Sequence, residues 1–515
     1  MNKSLDEAFC ESMFGTTSPW LCDEFPPVVS GEDHTTLYEI PNNSYNEEGS
    51  INAKVGEDKW DQDHVKLPCS NYNVYTVDDI GEAKGKTWDL ITSALSKPIN
   101  NSQDFLDAVL TYQTYFKDIW KFKAFHKFFH EYYDSTESER FFKETMPEIV
   151  KLVLALPELI KSPIPLLKQG QNKSISFTQL QLASLFANAF FCTFPERNNK
   201  RRDSEYRTYP PVNFNSLYDG GGPKVMEKLK CICHYFKRIT SEQPSGVVTF
   251  SRRSIPVENC PDWSSNSLKI SRIPLYVDSE KYIEDAHGCI QVDFANKYIG
   301  GGVLRRGAVQ EEIRFVSNPE LIVSLLFTEV LSPTEAVMII GTERFSTHTG
   351  YSMTFKWSSD VKDDTPRDSS GRRRCAILAL DARRFPKPEE QYTKEMVDRE
   401  LNKAYTGFSF YSISTDNINY PGIATGNWGC GAFGGSARLK SLLQLMACVQ
   451  SGRPMVYYTF GDTDLKDNIE RIYQILVNND ITIGELYKHI LQFCESDELR
   501  TNLYGYLEKN ILMTK

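Results

Sequence analysis

The 515-residue sequence has no apolar run approaching the length of a membrane-crossing helix, so a helical membrane protein is excluded. Its first residues, MNKSLDEAFCESMF, are acidic and lack a hydrophobic segment, so no secretory signal is expected there. Zinc-knuckle spacing is missing as well. In 231-CICH-234 a single residue separates the cysteines, and no second pair follows at a suitable distance, so no metal is expected. The twelve cysteines are scattered and form no disulfide framework, which points to a reducing compartment. An excess of positive charge is also absent. With 58 Lys and Arg against 68 Asp and Glu the net charge is −10, which excludes broad nonspecific attraction to a polyanion. A deep site holding one or two diphosphates through backbone amides stays open. Local basic clusters stand at 197-RNNKRR-202, 371-GRRR-374 and Arg305-Arg306, and for the first two solvated loops are at least as good a reading.

Aromatic residues are plentiful, and 30 Phe with 26 Tyr argue against a mainly disordered chain. The length suffices for two or three domains. Residues 1–70 are rich in Asn, Ser, Pro and acidic groups without a sustained period and read as an irregular segment. From 71 to 245 the pattern is helical, with apolar groups recurring every three or four residues over 102–160. Pro147 can open the run 148–160 and Pro157 should kink or end it. Another helix should begin near Ser176 or Thr178. His126 and His130 share one helix face, but HKFFH lacks the glutamate of a zinc-hydrolase helix.

From 246 to 515 short apolar runs alternate with helical patterns. Candidate strands are 246–250, 289–294, 335–340, 375–380 and 454–460, and candidate helices are 319–330, 392–404, 436–450 and 464–477. Buried strands interleaved with helices predict an α/β fold with a sheet covered on both faces. Such sheets bind ligands at the loops beyond their strand ends.

Two loops stand out there. The first carries Gly300, Gly301 and Gly302, soon after a predicted strand, and then Gln310-Glu311-Glu312. Three glycines in a row usually mark tight turning or close approach of a ligand. Adjacent carboxylates diverge by about 100° on a helix, so the pair suits two separate tasks. One can hold substrate hydroxyls, and the other, desolvated beside a like charge, can serve as a general acid. The second loop, 426-GNWGCGAFGG-435, leads into a helix that Ser436 can cap, a suitable cradle for a diphosphate. It is no Walker A loop, since no Gly-Lys-Ser/Thr follows. No strand is read ahead of it, so it is not a dinucleotide fingerprint either. A turn capping a helix without any ligand remains equally compatible. Asp293 and Asn296 precede the first loop, and Tyr351 and Phe460 are aromatics that could stack on a base.

The strings 163-PIPLLKQ-169, 184-SLFANAFFCTFP-195, 291-QVDFAN-296, the glycine triplet with 310-QEEIRF-315, 399-RELNKAY-405 and 425-TGNWGCGAFGG-435 resemble the catalytic region of the eukaryotic poly(ADP-ribose) glycohydrolases. The resemblance implies a macrodomain-like mixed sheet sandwiched between helices and preceded by a helical accessory domain. It implies cleavage of ribose–ribose bonds, mainly from the polymer terminus, without a cofactor. Glu312 then corresponds to the general acid and base, Glu311 to the residue holding ribose hydroxyls and Asp293 to their support. Asn296 corresponds to a contact of the terminal ribose. Gly300, Gly301, Gly302 and Gln310 shape the catalytic loop. Asn427, Gly431, Ala432, Phe433 and Gly434 wrap the diphosphate, with Phe433 on the ribose, and Tyr351 and Phe460 form the adenine end. His348 departs from the pattern, standing where a tyrosine is expected. The implied partner is poly(ADP-ribose), free or protein-attached, with no sequence-specific nucleic acid and no membrane. The implied setting is a monomer in the nucleus or cytoplasm, in the DNA damage response. A noncatalytic ADP-ribose-binding module and a mono-ADP-ribosyl-protein hydrolase are the competing readings.

Overall fold

The computed structural model describes residues 25–41, 51–76, 83–199, 201, 203–410, 421–496 and 502–513. The acidic N-terminal stretch and two positions of the 197–202 cluster lie outside them. No described helix is long and apolar enough to cross a membrane.

In chain order the strands are β1 (His34–Thr36), β2 (Val74–Thr76), β3 (Ala83–Lys86), β4 (Lys173–Thr178), β5 (Val247–Ser254), β6 (Leu275–Asp278), β7 (Ile290–Asp293), β8 (Glu335–Ile340), β9 (Ser346–Thr349), β10 (Lys356–Asp360), β11 (Ala376–Ala379), β12 (Ile423–Gly426) and β13 (Met455–Tyr458). Nine of them form one mixed sheet in the order β1-β4-β5-β8-β11-β7-β12-β13-β6. The block from β11 to β6 is parallel throughout, so β11, β7, β12 and β13 deliver their C-terminal ends to one edge. Strands β4, β5, β8 and β11 pair antiparallel.

Alternation along the central strands divides the core in two. Val337, Ile339, Val248, Phe250, Ile175 and Phe177 pack with the helices of the first half. Ala336, Met338, Ile340, Ala376 and Leu378 face the helices Lys394–Phe408, Ala437–Ser451, Thr463–Asn478 and Ile483–Glu495. Each fully buried side chain of this size contributes about 1.5–3 kcal/mol, so both faces hold the sheet.

The predicted strands and helices of the second half are present, with 319–330 as a 3-10 helix over Pro319–Leu326. In the first half, the apolar period over 102–160 is cut into short helices, two of them π turns at Phe128–Tyr132 and Phe141–Thr145. They close on an aromatic centre, where Phe105 stacks on Phe125 at 4.6 Å and meets Tyr218 edge-on at 5.7 Å. Pro147 lies in the first turn of Met146–Leu154, and the chain breaks before Pro157 and restarts as Leu156–Leu159. Thr178 caps Gln179–Phe190 with a capping box, as its position predicts.

In the first half of the chain, two strands of the large sheet depart from the sequence reading. His34–Thr36, from the stretch read as irregular, and Lys173–Thr178, from the stretch read as helical, are strands of the large sheet. Both carry hydroxyl residues that look solvated in sequence. Inside, Ser176 Oγ pairs with Thr249 Oγ1 at 2.7 Å and Ser174 with Ser251 at 2.8 Å, so the polar side of β4 is satisfied across the ladder. One arginine in each of two basic clusters differs too, while Arg201 is exposed. Arg197 is buried and donates to the carbonyls of Leu325, Leu326 and Pro210, while Arg372 holds Asp368 and the carbonyl of Pro26. These arginines serve internal carbonyls and carboxylates instead of solvent.

Candidate active site

Strand β7 ends at Asp293, the chain loops through residues 294–309, and a helix begins at Gln310. All three side chains that open this helix turn back onto the loop. Gln310 accepts from the Phe294 amide at 2.8 Å and donates to the Val292 carbonyl at 3.1 Å. Glu311 accepts from the amides of Asn296 (2.9 Å) and Gly300 (2.6 Å). Glu312 accepts from those of Gly302 (2.7 Å) and Val309 (2.9 Å). Both carboxylates are buried, at 3% and 6% exposure, and among the described residues these four amides are their hydrogen-bond donors.

The glycines are there for the carboxylates. A Cβ on Gly301, which has φ +50°, would lie 2.5 Å from Glu311 Oε2 and 2.7 Å from Glu312 Oε1. One on Gly307 would lie 2.4 Å from Glu312 Oε1, and one on Gly302 would press on the Gly307 backbone at 3.0 Å. Gly300 has φ +84°, a conformation that L side chains rarely adopt.

Asp293 is buried beneath the pair, and among the described residues neither of its carboxylate oxygens meets a protein donor. Burial raises its pKa well above the usual carboxylate range. Arg314 opposes the rise, and Glu312 and Glu284 add to it. Glu311 is raised well above its usual range as well, by burial first and then by Asp293 and Glu312, against the two amides that it accepts. Burial thus favours a held proton at Asp293 and at Glu311. Asn296 is fixed by its own side chain, whose Oδ1 accepts from the Tyr298 amide at 3.0 Å.

The second loop leaves β12 at Gly426 and reaches the helix Ala437–Ser451, capped by Ser436. A strand does therefore lead into it, which corrects the reading from sequence. IATG is too short and too small in its side chains to show an apolar period. The loop is anchored at both ends. Tyr457 donates to Asn427 Oδ1 at 2.9 Å, and Trp428 is buried with its indole N–H on the Leu380 carbonyl at 2.9 Å. Lys440 lies 4.0 Å from the Trp428 ring and pairs with Glu400. The Phe433 carbonyl accepts from Phe385 at 2.7 Å, and the Gly435 amide bonds to the Gly429 carbonyl at 2.9 Å. Among the described residues the amides of Gly431, Ala432 and Phe433 donate to no protein acceptor. Gly431, Ala432 and Gly434 are exposed and Phe433 is half-buried. Nothing lies within 4 Å of a Cβ built on Gly431. Open amides at the start of a 15-residue helix suit an anion.

Two aromatic groups complete the rim. Phe460, at φ +55° just past β13, meets Phe294 edge-on at 6.3 Å and lies 6.4 Å from Tyr282. Tyr351 stands exposed on the hairpin formed by β9 and β10, and the next residue, Ser352, donates its amide to the Ala308 carbonyl at 2.9 Å. His348 lies on that hairpin with its ring 5.9 Å from Phe355.

The predicted residues thus gather at the C-terminal edge of β11, β7, β12 and β13. Three others escaped the reading from sequence. Arg314 bonds Gln291 below Asp293, and Glu227 and Lys228 reach in from the helix Pro223–Ser241. Glu227 accepts from the Trp357 amide of the hairpin at 2.8 Å, and Lys228 donates to the carbonyls of Gly302, Val303, Arg305 and Gly307. The available signal was helical phase: Lys228 falls among Val225, Leu229 and Ile232 on the stripe that is buried. His126 and His130, by contrast, lie elsewhere and share the Ser102 hydroxyl.

A parallel block of strands with a carboxylate loop and an open-amide loop side by side at its crest, backed by a helical half, is the layout of a macrodomain-type hydrolase. The comparisons narrow the class. Residues 260–467 match the family described as Poly (ADP-ribose) glycohydrolase (PARG), Macro domain fold, and residues 133–252 match its helical domain. The chain belongs to the poly(ADP-ribose) glycohydrolase family. It is 32% identical over 443 residues to a protein of Arabidopsis thaliana named probable poly(ADP-ribose) glycohydrolase 2, covering 74% of this chain and 83% of the relative. Poly(ADP-ribose) glycohydrolase 1 of the same plant is 32% identical over 449 residues, covering 71% and 80%. Poly(ADP-ribose) glycohydrolase 2 of Caenorhabditis elegans is 34% identical over 357 residues, covering 67% and 69%.

Proposed function

We propose that this chain hydrolyses the ribose–ribose O-glycosidic bonds of poly(ADP-ribose), mainly from the chain terminus, and releases ADP-ribose. The observation that carries the reading is the pair Glu311 and Glu312, buried and held on loop amides beside a loop with open amides. A module that only binds ADP-ribose needs the second loop and has little use for the first.

In this reading the diphosphate of the terminal unit lies on Gly431, Ala432, Phe433 and Gly434, with Asn427 at the base of the loop. Phe433 packs on the ribose, and the adenine takes the end formed by Tyr351 and Phe460. Glu311 and Asn296 hold the hydroxyls of the ribose whose anomeric carbon reacts. Glu312 gives its proton to the departing ribose oxygen as the glycosidic bond breaks. The ionised Glu312 then takes a proton from the water that attacks the anomeric carbon. Positive charge on the sugar is highest between these two events, when Glu312 is negative and the diphosphate is near. Asp293, close below, supports the pair.

The test is incubation of the protein with poly(ADP-ribose), free and protein-attached, with products resolved by mass, beside Glu312→Gln. Free ADP-ribose from the native chain, lost in the variant while ADP-ribose still binds, is the expected result. Binding without product would leave a binding module, and removal of only the protein-linked unit a mono-ADP-ribosyl hydrolase. The reading extends to a monomer working in the nucleus or cytoplasm. Imaging of a tagged chain checks that setting.

A further inference from the structure

Lys228 has an environment that packing does not explain. It is 0% exposed, on a helix whose neighbouring inward residues are Val225, Leu229 and Ile232. Burying an ammonium among apolar groups is expensive unless its hydrogens are all taken. An uncharged side chain of the same length would fill this space at no such cost. The ammonium lies 2.7 Å from the Val303 carbonyl, 2.6 Å from Arg305, 2.8 Å from Gly307 and 3.2 Å from Gly302. An ammonium has three N–H bonds, so four carbonyls converge on slightly fewer donors than they could use. Their arrangement depends on the cation staying at the centre.

The same turn serves Glu312 from its other side. Gly302 gives its carbonyl to Lys228 and its amide to Glu312 Oε1. Gly307 gives its carbonyl to Lys228 and its amide to the Gly302 carbonyl, and its Cα faces Glu312 so closely that no Cβ fits. We propose that Lys228 is a positioning residue for hydrolysis, its ammonium gathering the carbonyls of residues 302–307 so that the turn holds the Glu312 carboxylate at the scissile bond. The helical half thereby supplies part of the catalytic geometry. The proposal rests on the reading of Glu312 as the acid.

Burial draws the pKa of Lys228 down to about 7, so the ammonium predominates below that pH. Glu312 and Cys231 act to raise it and Lys224 to lower it, so the charge of Glu312 is felt across the turn. Lys224 lies one turn earlier on the same helix and makes none of the four carbonyl contacts, which makes it the control.

The test uses the full chain with Lys228→Met, Lys228→Arg and Lys224→Met. It reads kcat and KM on poly(ADP-ribose), ADP-ribose affinity by calorimetry, and amide exchange over residues 300–309. In Lys228→Met we expect kcat to fall about 100-fold, the effect of a misplaced proton-transfer group, with ADP-ribose affinity within about threefold. Exchange should quicken over 300–309 and stay unchanged along β7, β11 and β12. Lys228→Arg, which restores a cation with several donors, should recover at least about tenfold of the lost turnover. Lys224→Met should behave as wild type. The idea is overturned if Lys228→Met keeps wild-type kcat, or if turnover, affinity and sheet protection fall together, as for a residue that only supports the fold. If Lys228→Met does not fold, Lys228→Gln is read by the same criteria. A wild-type chain that releases no ADP-ribose would instead remove the functional reading itself, and this proposal with it.

Discussion

At the scale of single residues, the loop that holds Glu311 and Glu312 is built by exclusion of side-chain atoms. Gly307→Ala puts a methyl group where Glu312 Oε1 and Cδ already stand, at 2.4 and 2.6 Å. We expect it to lower kcat by about 100-fold, the lower end of what a positioned proton donor supplies, and to leave ADP-ribose affinity nearly unchanged. Steady-state kinetics beside calorimetry decides, and near-normal turnover would mean that Glu312 does not need this position. Asp293 makes a different kind of test. Its pKa is raised on folding, so its stabilising effect is complete below the unfolded value near 4 and is lost as pH rises through the folded value. Asp293→Asn keeps the shape and removes the charge. Its Tm should exceed that of the native chain by a margin that widens above about pH 4. Melting curves between pH 4 and 9 check this, and a margin independent of pH would contradict it. The glycine triplet and Gln310-Glu311-Glu312 were legible in the sequence because rare local patterns mark them. Lys228 was not, because a lysine between apolar residues looks like the solvated edge of a helix until the partner loop is seen.

At the scale of elements, the helix Pro223–Ser241 grips two parts of the candidate site through consecutive residues, the hairpin by Glu227 and the carboxylate loop by Lys228. Glu227→Ala removes the acceptor of the Trp357 amide and frees the hairpin that carries Tyr351. The loss of a buried hydrogen bond costs about 1–3 kcal/mol, and we expect about tenfold weaker ADP-ribose binding with kcat less affected. Unchanged affinity in the same titration would show that the hairpin takes no part in binding. The strands β5, β7, β8, β11 and β13 were readable as apolar runs. The others were not, for distinct reasons. LYVD and IATG are four residues long, HTT is three, and KSISFT hides its alternation behind serines that find hydroxyl partners only in the folded sheet. The hairpin strands STHT and KWSSD are mostly polar, and their pairing carries a register shift.

At the scale of the whole molecule, the two halves share one sheet. Strand β4 pairs with β5 along six residues and β1 extends that edge, although both precede residue 246. The face carrying Val248, Phe250, Val337 and Ile339 is covered by the first half. A chain cut to residues 246–515 would expose that face and the open edge of β5, a template for association. We expect it to aggregate on expression, and size-exclusion chromatography showing a soluble, folded fragment would refute this. Strand order also governs how the protein can be made. β6 lies at the edge of the sheet, and its neighbour there, β13, begins at Met455, nearly 180 residues after Asp278. At roughly 5–20 residues per second that is a wait of about 10–35 s on the ribosome. The whole carboxylate loop, from Gly300 to Glu312, leaves the ribosome before β11, β12 or β13 exists. A nascent chain therefore carries Glu311 and Glu312 without the rest of the sheet edge around them until translation has passed Tyr458.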